Sequence, residues 1–517
     1  MRLRVDRQHK AVESWKIVNL NKNLVSETSK ENFLITTWKT FTKHSSMHAV
    51  HYLTAESMKV FEKLFWLFVI FLASLAMAYC CILLSNRFSS SLTSTVFEST
   101  NFKVIEIPFP SITICNANRI NYNKTDEAIE KFIPNFSNKD QKLFVRFLEI
   151  LQNMDYGSFD EFTHIADDYK GQFDHLNIFE IYKFMIHECK DFFVDCKWRN
   201  KKVDCCKFFS LQITEYGLCY SFNSYTNEPT ELVSHTKNFP WRSASSGKNS
   251  ALDVIVNTQP STRIEYESSQ IGIQAIVQHP FEHPNNGQFI AVKSVASLII
   301  KPTVFSTSDD VRNLDPADRQ CYYNQEATQL NLTHLIGMPY NRANCMSACR
   351  QQHLKKFCNC SVSFLFPSGE IPDCNISSLL CLSKFNEILN AEKPLTKNPY
   401  FDENEEGIEC FCLPECSRIE YSIVTSPIYD EKLLNDDYVQ LDVHYESSMV
   451  MKYRTDVCYS WLDLLVGFGG ILGLFFGCSI LSGVEFIYFS TIALIIQYKR
   501  SKGKLVKKIR ANFPFTN

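Results

Sequence analysis

The sequence predicts an α+β membrane protein in which two transmembrane helices flank a large, disulfide-rich extracellular domain. Two long apolar segments, one near each end of the 517-residue chain, indicate the helices. Twenty cysteines and several glycosylation sequons indicate the extracellular domain, because most of them lie between the two apolar segments.

The first apolar segment is "LFWLFVIFLASLAMAYCCILLS", residues 64–85, which contains 22 residues and no charge. A helix of this length crosses a hydrocarbon core of about 30 Å. Residues 1–63 in front of it are polar and lack the pattern of a cleavable signal peptide. We therefore expect residues 1–63 to form an N-terminal cytoplasmic segment and residues 64–85 to form transmembrane helix 1.

The second apolar segment runs from Trp461 to Tyr498 and contains two acidic residues, Asp463 and Glu485. As one straight helix its 38 residues would extend roughly 55 Å, which is too long for a single span. The segment must therefore start outside the bilayer or be broken within it. We assign residues 457–497 to transmembrane helix 2.

The charges after the second segment predict the orientation of the chain. Residues 499–510 contain seven Lys or Arg and no acid, which indicates that the basic tail, residues 498–517, is cytoplasmic. Two spans then place both termini in the cytoplasm and residues 86–456 outside the plasma membrane. Sixteen of the twenty cysteines lie in this outer domain, as do five sequons, at Asn123, Asn135, Asn331, Asn359 and Asn375.

Secondary structure in the outer domain follows from periodicity. Residues 102–116, "FKVIEIPFPSITICN", are β-rich, whereas residues 125–190 show helical spacing, as in "DQKLFVRFLEILQNM". The segments "ASLIIKPTVF" (296–305) and "RIEYSIVTS" (418–426) predict two buried strands.

The cysteines between residues 321 and 416 predict either disulfides or a zinc site. Cys345 and Cys349 would share one face of a helix, and Cys410 and Cys412 one face of a strand. Two such faces can be joined by a ladder of disulfides. A zinc cluster would use the same residue types, but an extracellular setting favours disulfides, so we expect no metal. Spacing alone does not give the connectivity.

Glycine is concentrated in the second apolar segment, where residues 464–484 contain six of the sixteen glycines. Gly469 and Gly473 are predicted to form a helix-packing face, because small residues let transmembrane backbones approach closely. The next tripeptide, Gly477-Cys478-Ser479, lies where the span must break. Irregular backbone at membrane depth is tolerated where it lines protein or a water-filled pore, and its carbonyls could replace water around a cation.

Glu485 is an ionisable residue at predicted membrane depth, where charge is expensive and therefore usually functional. The alternative is a carboxylate that extends to the cytoplasmic interface near Lys499. Sequence alone leaves both interpretations open.

Five motifs occur in a fixed order: "FPSITICN" (109–116), "YGLCYSFN" (216–223), "GMPYNRANCMSACR" (337–350), "CFCLPECSRIEYS" (410–422) and "GLFFGCSILSGVEFIYF" (473–489). Together they resemble the degenerin/epithelial sodium channel superfamily, and most of all its insect pickpocket branch. The resemblance covers residues 40 to 490. It implies three subunits around one cation pore and an ectodomain with a β-sheet palm and helical finger and thumb regions, the thumb-like part being residues 321–416.

The resemblance also implies disulfide pairs. Cys196 would pair with Cys205 or Cys206, and a bridge between Cys189 and Cys206 is a further hypothesis. The remaining implied pairs are Cys115 with Cys219, Cys321 with Cys416, Cys345 with Cys412, Cys349 with Cys410, Cys358 with Cys381, and Cys360 with Cys374.

At the pore, the resemblance implies that Gly477, Cys478 and Ser479 form the selectivity filter and Glu485 belongs to the inner pore. Cys478 departs from the Gly, Ala or Ser that is usual at the middle position. Two gating positions depart as well. The cytoplasmic His-Gly pair is His48-Ala49 here, and Val466 occupies a position that is small in the family. Either neighbouring residues compensate and the channel closes normally, or this is a leaky or auxiliary subunit.

The functional expectation is a subunit of a trimeric, sodium-preferring, amiloride-sensitive cation channel of the plasma membrane with a chemical, acid or mechanical stimulus. Its partners would be homologous subunits, in a homotrimer or heterotrimer, and the lipid bilayer; the extracellular ligand is not indicated. The alternative is a non-conducting or auxiliary surface protein that needs a partner subunit. A trimeric ATP-gated channel would need a Tyr-x-Thr-x-Lys motif, and "TFTKH" lacks its tyrosine.

Other classes of protein fit less well. The sequence contains no G-x-S-x-G, H-E-x-x-H or P-loop signature that would indicate an enzyme. A net charge of −3 argues against nucleic-acid binding. We expect no cofactor, and Na⁺ would be the permeant ion.

Overall fold

A computed structural model describes residues 38–90, 92–226, 239–263, 271–330, 332–367, 369–394, 400, 406–429, 436–496 and 499. The chain forms two compact units, Met1–Thr93 with Val457–Asn517, and Ser94–Asp456. The sequon residue Asn331, residues 1–37, and the basic tail apart from Lys499 lie outside the described residues.

The helices are, in chain order, α1 (Val60–Ser90), α2 (Thr125–Phe132), α3 (Asn138–Asn153), α4 (Ile178–Met185), α5 (Cys189–Phe192), α6 (Cys205–Phe208), α7 (Pro316–Arg319), α8 (Asn324–Gln329), α9 (Arg342–Cys358), α10 (Ile376–Ser383), α11 (Asn386–Asn390), α12 (Trp461–Phe476) and α13 (Ile480–Tyr488). The strands are β1 (Thr93–Lys103), β2 (Ser111–Asn116), β3 (Phe193–Trp198), β4 (Lys201–Val203), β5 (Phe209–Thr214), β6 (Gly217–Phe222), β7 (Leu252–Asn257), β8 (Gly272–Gln278), β9 (Gln288–Ala291), β10 (Ser294–Thr307), β11 (Arg418–Tyr429), β12 (Tyr438–Tyr445) and β13 (Met449–Val457).

The first unit contains the apolar helices. Helix α1 is long and apolar enough to cross a membrane over residues Val60–Ser89. The second apolar segment is two helices, Trp461–Phe476 and Ile480–Ile496, bent by 70° at the residues between them. They meet the length and apolarity requirement only together, as one broken span. Asp463 belongs to the start of α12, where its carboxylate accepts the Ser460 N–H at 2.9 Å in a capping box.

The second unit is built on two sheets. An eight-stranded sheet has the order β1-β13-β10-β12-β7-β3-β4, with β11 paired to β10, and a five-stranded sheet has the order β5-β6-β2-β8-β9. Strand β10 is central and alternates between buried and half-buried residues, as predicted for 296–305. Residues 418–426 form a strand as predicted, but the prediction that this strand is buried is wrong. Strand β11 alternates between half-buried and exposed residues because, in the described sheet, it pairs only with β10.

Two large apolar cores stabilise this unit. One is built from strands of both sheets and includes Phe109, Leu298 and Val443. The other is largely helical and includes the buried face of α3. The N-cap of α3 is Ser137, whose hydroxyl accepts the Asp140 N–H. Phe144, Phe147, Leu148 and Leu151 recur at helical spacing on that face and are fully buried. Each such side chain contributes about 1.5–3 kcal/mol of transfer free energy.

Eight disulfides hold the second unit together, and they join the cysteines that the resemblance pairs. Where two partners were open, Cys196 bonds Cys205, and the hypothetical bridge between Cys189 and Cys206 is present. The sulfurs of Cys349 and Cys410 lie near His353 Nδ1 in a grouping that could otherwise suggest a metal site. They are bonded to each other and so offer no thiolate ligand.

The described sequon asparagines differ in accessibility. Asn123, Asn135 and Asn359 are exposed. Asn375 is half-buried, and its side-chain carbonyl caps α10 by accepting the Ser378 N–H at 2.8 Å.

Candidate pore-lining site

The break between α12 and α13 has its own local stabilisation. Gly477 ends α12 at a φ of 61°, in the left-handed region that favours glycine, and its N–H donates to Gly473 O at 2.9 Å. Ser479 then starts α13 with a reciprocal cap. Its hydroxyl accepts the Ser482 N–H, and the Ser482 hydroxyl accepts the Ser479 N–H at 3.0 Å. The residue types at the break therefore explain why one helix ends and another begins.

The segment of residues 45–49, which precedes α1, contacts this break. The His48 N–H donates to Phe476 O at 2.8 Å. The His48 ring lies over Gly477 so closely that a Cβ at position 477 would be 2.1 Å from His48 Nδ1. Glycine is therefore favoured at position 477 both for its backbone conformation and for the space that it leaves to the imidazole.

Ser46 joins the same segment to α13. Its N–H and hydroxyl donate to Glu485 Oε2 at 3.2 and 3.0 Å, and its hydroxyl lies 2.8 Å from Ser482 Oγ. The structure thus brings together His48, Gly477 and Glu485, which the sequence predicted separately. Sequence reasoning missed Ser46 and Ser482, because a serine two residues before a histidine or three after a serine forms no distinctive pattern.

Aromatic contacts on either side of residues 45–49 hold this part of the chain in place. The buried Phe41 ring packs against Phe486 and Phe489, with centroids 5.9 and 5.7 Å apart. Tyr52 stacks on Trp66 of α1 at 4.4 Å. Each aromatic pair of this kind contributes about 0.5–1.5 kcal/mol beyond area burial. The segment is therefore anchored on both sides of residues 45–49.

The remaining predicted residues are distributed along the same elements. Ala49 has a φ of 64°, a left-handed backbone at the position where the resemblance implies a glycine. Cys478 is half-buried beside Gly477, and Val466 is exposed on α12.

The glycine in contact with α1 is Gly467, where an added Cβ would lie 2.7 Å from Leu84 Cδ2. An added Cβ at Gly469 would have no heavy atom within 4 Å, and at Gly473 it would meet only Cys478 O, at 3.8 Å, counting the part of the chain that the structure describes. Within one chain, therefore, Gly469 and Gly473 are not the residues that pack α12 against α1. Their role in packing against another helix stays a prediction.

Comparison with known proteins identifies the family. The family model described as amiloride-sensitive sodium channel matches residues 41–489. Pickpocket protein 19 of Drosophila melanogaster is 26% identical over 86% of this chain and 88% of that protein. The sodium channel protein Nach of Drosophila melanogaster is 26% identical over 90% and 89% of the two chains. The human bile acid-sensitive ion channel is 23% identical over 92% and 89%.

The family match covers most of the chain and includes the first apolar helix, the disulfide-bonded unit and most of the broken helix pair. This chain is therefore a membrane protein that belongs to the amiloride-sensitive, degenerin/epithelial sodium channel family.

Proposed function

We propose that this chain is a subunit of a trimeric, sodium-preferring and amiloride-sensitive cation channel of the plasma membrane that opens to a sensory stimulus. Both termini would lie in the cytoplasm, and the conducting pathway would run along α12 and α13. Homologous subunits would complete the trimer, and the permeant ion would be Na⁺.

The observation that best supports conduction is the break at residues 477–479 in an otherwise apolar segment. A helix that only anchors a protein gains nothing from interrupting its hydrogen bonds at membrane depth, where unsatisfied backbone groups are expensive. A break repeated in three subunits would place backbone carbonyls and small polar side chains around one axis, where they could replace the water around a cation.

Each residue of the site has a proposed part in this function. Gly477, Cys478 and Ser479 would form the filter, and Glu485 would add negative charge to the inner pore. His48 and Ser46 would hold the N-terminal segment on the break through Phe476 O and Glu485 Oε2. Movement of residues 45–49 would then change the filter and the inner pore together, which makes this segment the proposed gating element along with Ala49 and Val466.

Whole-cell recording from the chain expressed alone tests the proposal. Sodium is replaced by potassium and then by a large organic cation, and amiloride is added. We expect a sodium-preferring current that amiloride blocks. A chain that reaches the surface and passes no current would contradict homomeric conduction.

A thiol reagent tests the position of the filter. Cys478 already provides a thiol, so the reagent is applied to the natural chain, to Cys478→Ser and to Cys478→Ser with Ser479→Cys. If these residues line the pore, modification changes the current of the first and third chains and not of the second. Equal modification of the Cys478→Ser chain would point to Cys80, Cys81 or Cys458, which are the other free thiols of the described chain.

An auxiliary subunit is the second candidate function, and the backbone of Ala49 favours it. A non-glycine residue incurs a steric cost at a φ of 64° that glycine does not incur. The conformation in which residues 45–49 contact the break is therefore less stable here than it would be with the family's glycine. Co-expression with a pickpocket relative distinguishes the two functions. Current that requires both chains would favour the auxiliary role.

A further inference from the structure

A cavity of about 500 Å³ lies within the second unit and has no part in the proposed pore. Four stretches of chain and Asn324 of α8 line it: residues 279–282 after β8, residues 304–306 of β10, residues 339–341 before α9, and residues 415–419, which lead into β11. Its size falls in the range of roughly 300–1,000 Å³ that is typical of small-molecule sites.

The wall of this cavity is largely aromatic and apolar. Phe281, Phe305 and Tyr340 contribute rings, and Val304 and Ile419 contribute aliphatic surface. The Tyr340 hydroxyl donates to Leu413 O at 2.8 Å, so its polar end is already satisfied. A wall of this kind favours an organic ligand over a hydrated metal ion, which needs several oxygen ligands.

Two carboxylates, Glu282 and Glu415, lie in the lining and accept hydrogen bonds from backbone. Glu282 Oε2 accepts the His279 N–H at 3.1 Å, and Glu415 Oε2 accepts the Arg342 N–H at 3.3 Å. Neither carboxylate forms an ion pair within 4.0 Å in the described chain, although an ionised carboxylate can accept about four hydrogen bonds. Both retain capacity for a donor that enters the cavity.

Positive charge in the lining is already engaged or absent. Arg418 Nε lies 2.6 Å from Glu420 Oε1, and its guanidinium stacks on the Phe305 ring at 4.2 Å. Burial lowers the pKa of the His279 imidazole to about 4, so His279 is neutral at physiological pH. Burial, reinforced by Glu415 and Glu420, raises the pKa of Glu282 to about 7. Burial also raises the pKa of Glu415, although the charge of Arg418 opposes that rise. A bound cation would offset the cost of desolvating the carboxylates and would reduce the repulsion between them.

We propose that this cavity binds a small organic cation, whose ammonium group donates to the carboxylates of Glu282 and Glu415 while its apolar body contacts the rings of Phe281, Phe305 and Tyr340. An organic anion would meet two carboxylates, and a neutral alcohol of the same shape could donate only one uncharged hydrogen bond to them. Binding is a property of this unit alone. Its use to open or close a channel rests on the proposed function.

Phenethylammonium is a suitable probe because it joins an ammonium group to one aromatic ring. Its binding to the purified full-length protein in detergent is measured by thermal stabilisation and by calorimetry, one pH unit above the pKa of Glu282. We expect saturable stabilisation by phenethylammonium and affinity at least about tenfold weaker for the neutral analogue 2-phenylethanol, because a hydrogen-bonded charge contributes about that much. This comparison needs no variant and therefore does not depend on the folding of a mutant.

Isosteric variants locate the site. Glu282→Gln and Glu415→Gln are each expected to weaken phenethylammonium binding about tenfold. Glu446→Gln is the matched control: Glu446 pairs with Lys301 at 2.9 Å outside the lining, and its replacement should leave binding unchanged.

The proposal is overturned if phenethylammonium does not bind, if 2-phenylethanol binds equally well, or if both cavity variants bind like the control. Because none of these measurements uses ionic current, a chain that fails to conduct leaves the binding result intact. A chain that conducts but does not bind the probe contradicts the proposed binding site and leaves the proposed channel function intact.

Discussion

The thumb-like region and the break between α12 and α13 are held together by different kinds of bond. Residues 321–416 contain five disulfides, two of which, between Cys345 and Cys412 and between Cys349 and Cys410, join the same two stretches of chain. At the break, the N-terminal segment is held by hydrogen bonds from Ser46 and His48. Each such bond contributes about 1 kcal/mol, so small changes in free energy can release this segment but cannot open the thumb-like region.

The largest change in ionic current is expected from Gly477→Ala at the break. The new methyl group would overlap the His48 imidazole, at 2.1 Å from Nδ1, and the backbone would retain a left-handed φ of 61°. That backbone alone costs about 1–2 kcal/mol for alanine. We expect current at the level of untransfected cells, with surface expression measured in parallel.

Gly470→Ala is the control for that variant. It lies inside α12, an added Cβ there has no described heavy atom within 4 Å, and alanine favours a helix by about 1 kcal/mol over glycine. Its current should be retained. A Gly477→Ala channel with normal current and sodium preference would show that function does not depend on the close contact with His48.

Removal of the paired disulfides should show that covalent restraint in the thumb-like region is redundant. The two bridges close loops of 67 and 61 residues, so either one preserves most of the restraint. We expect less than about 1 kcal/mol from replacing Cys345 and Cys412 by alanine, and about 2–4 kcal/mol when Cys349 and Cys410 are replaced as well. Chemical denaturation of the purified protein measures both values. Additive losses from the two pairs would contradict this redundancy.

A smaller effect is expected at Ser46 and Glu485. Ser46→Ala removes the hydroxyl bonds to Glu485 and Ser482 and leaves the Ser46 N–H in place, and Glu485→Gln removes the charge. A double-mutant cycle on the open-to-closed ratio, from single-channel records, should give a coupling of about 1–2 kcal/mol. Ser45→Ala is the control, because among the described residues the Ser45 hydroxyl accepts only the Met47 N–H, within its own segment. Strictly additive variants would indicate that the two side chains act separately.

The smallest effect is expected from Ala49→Gly. Glycine adopts a φ of 64° without the steric cost of a Cβ, so the N-terminal segment should be held more firmly by about 1 kcal/mol. Because Ser46→Ala loosens the same segment, the two variants should shift the open-to-closed ratio in opposite directions. Shifts in the same direction would be inconsistent with this role for the segment.

Local patterns predicted the features that depend on composition. The uncharged residues 64–85 predicted α1, because a hydrocarbon core requires a long apolar helix. The length of the second apolar segment, which exceeds one span, predicted the break. Gly477 marks its position because glycine adopts a left-handed backbone more readily than other residues do. Burial was less predictable. Residues 418–426 form a strand as expected, but β11 is half exposed because burial depends on which strands and helices cover a sheet.

Taken alone, the sequence determined the apolar segments, the family and the cysteines available for bonding, since each depends on residue type and order. Only the tertiary structure decided which residues meet. Ser46 contacts Glu485 across 439 positions, and His48 covers Gly477. The carboxylates of Glu282 and Glu415 enter one cavity from separate stretches of chain. No periodicity relates residues so far apart, because their proximity results from packing of whole elements rather than from any local pattern.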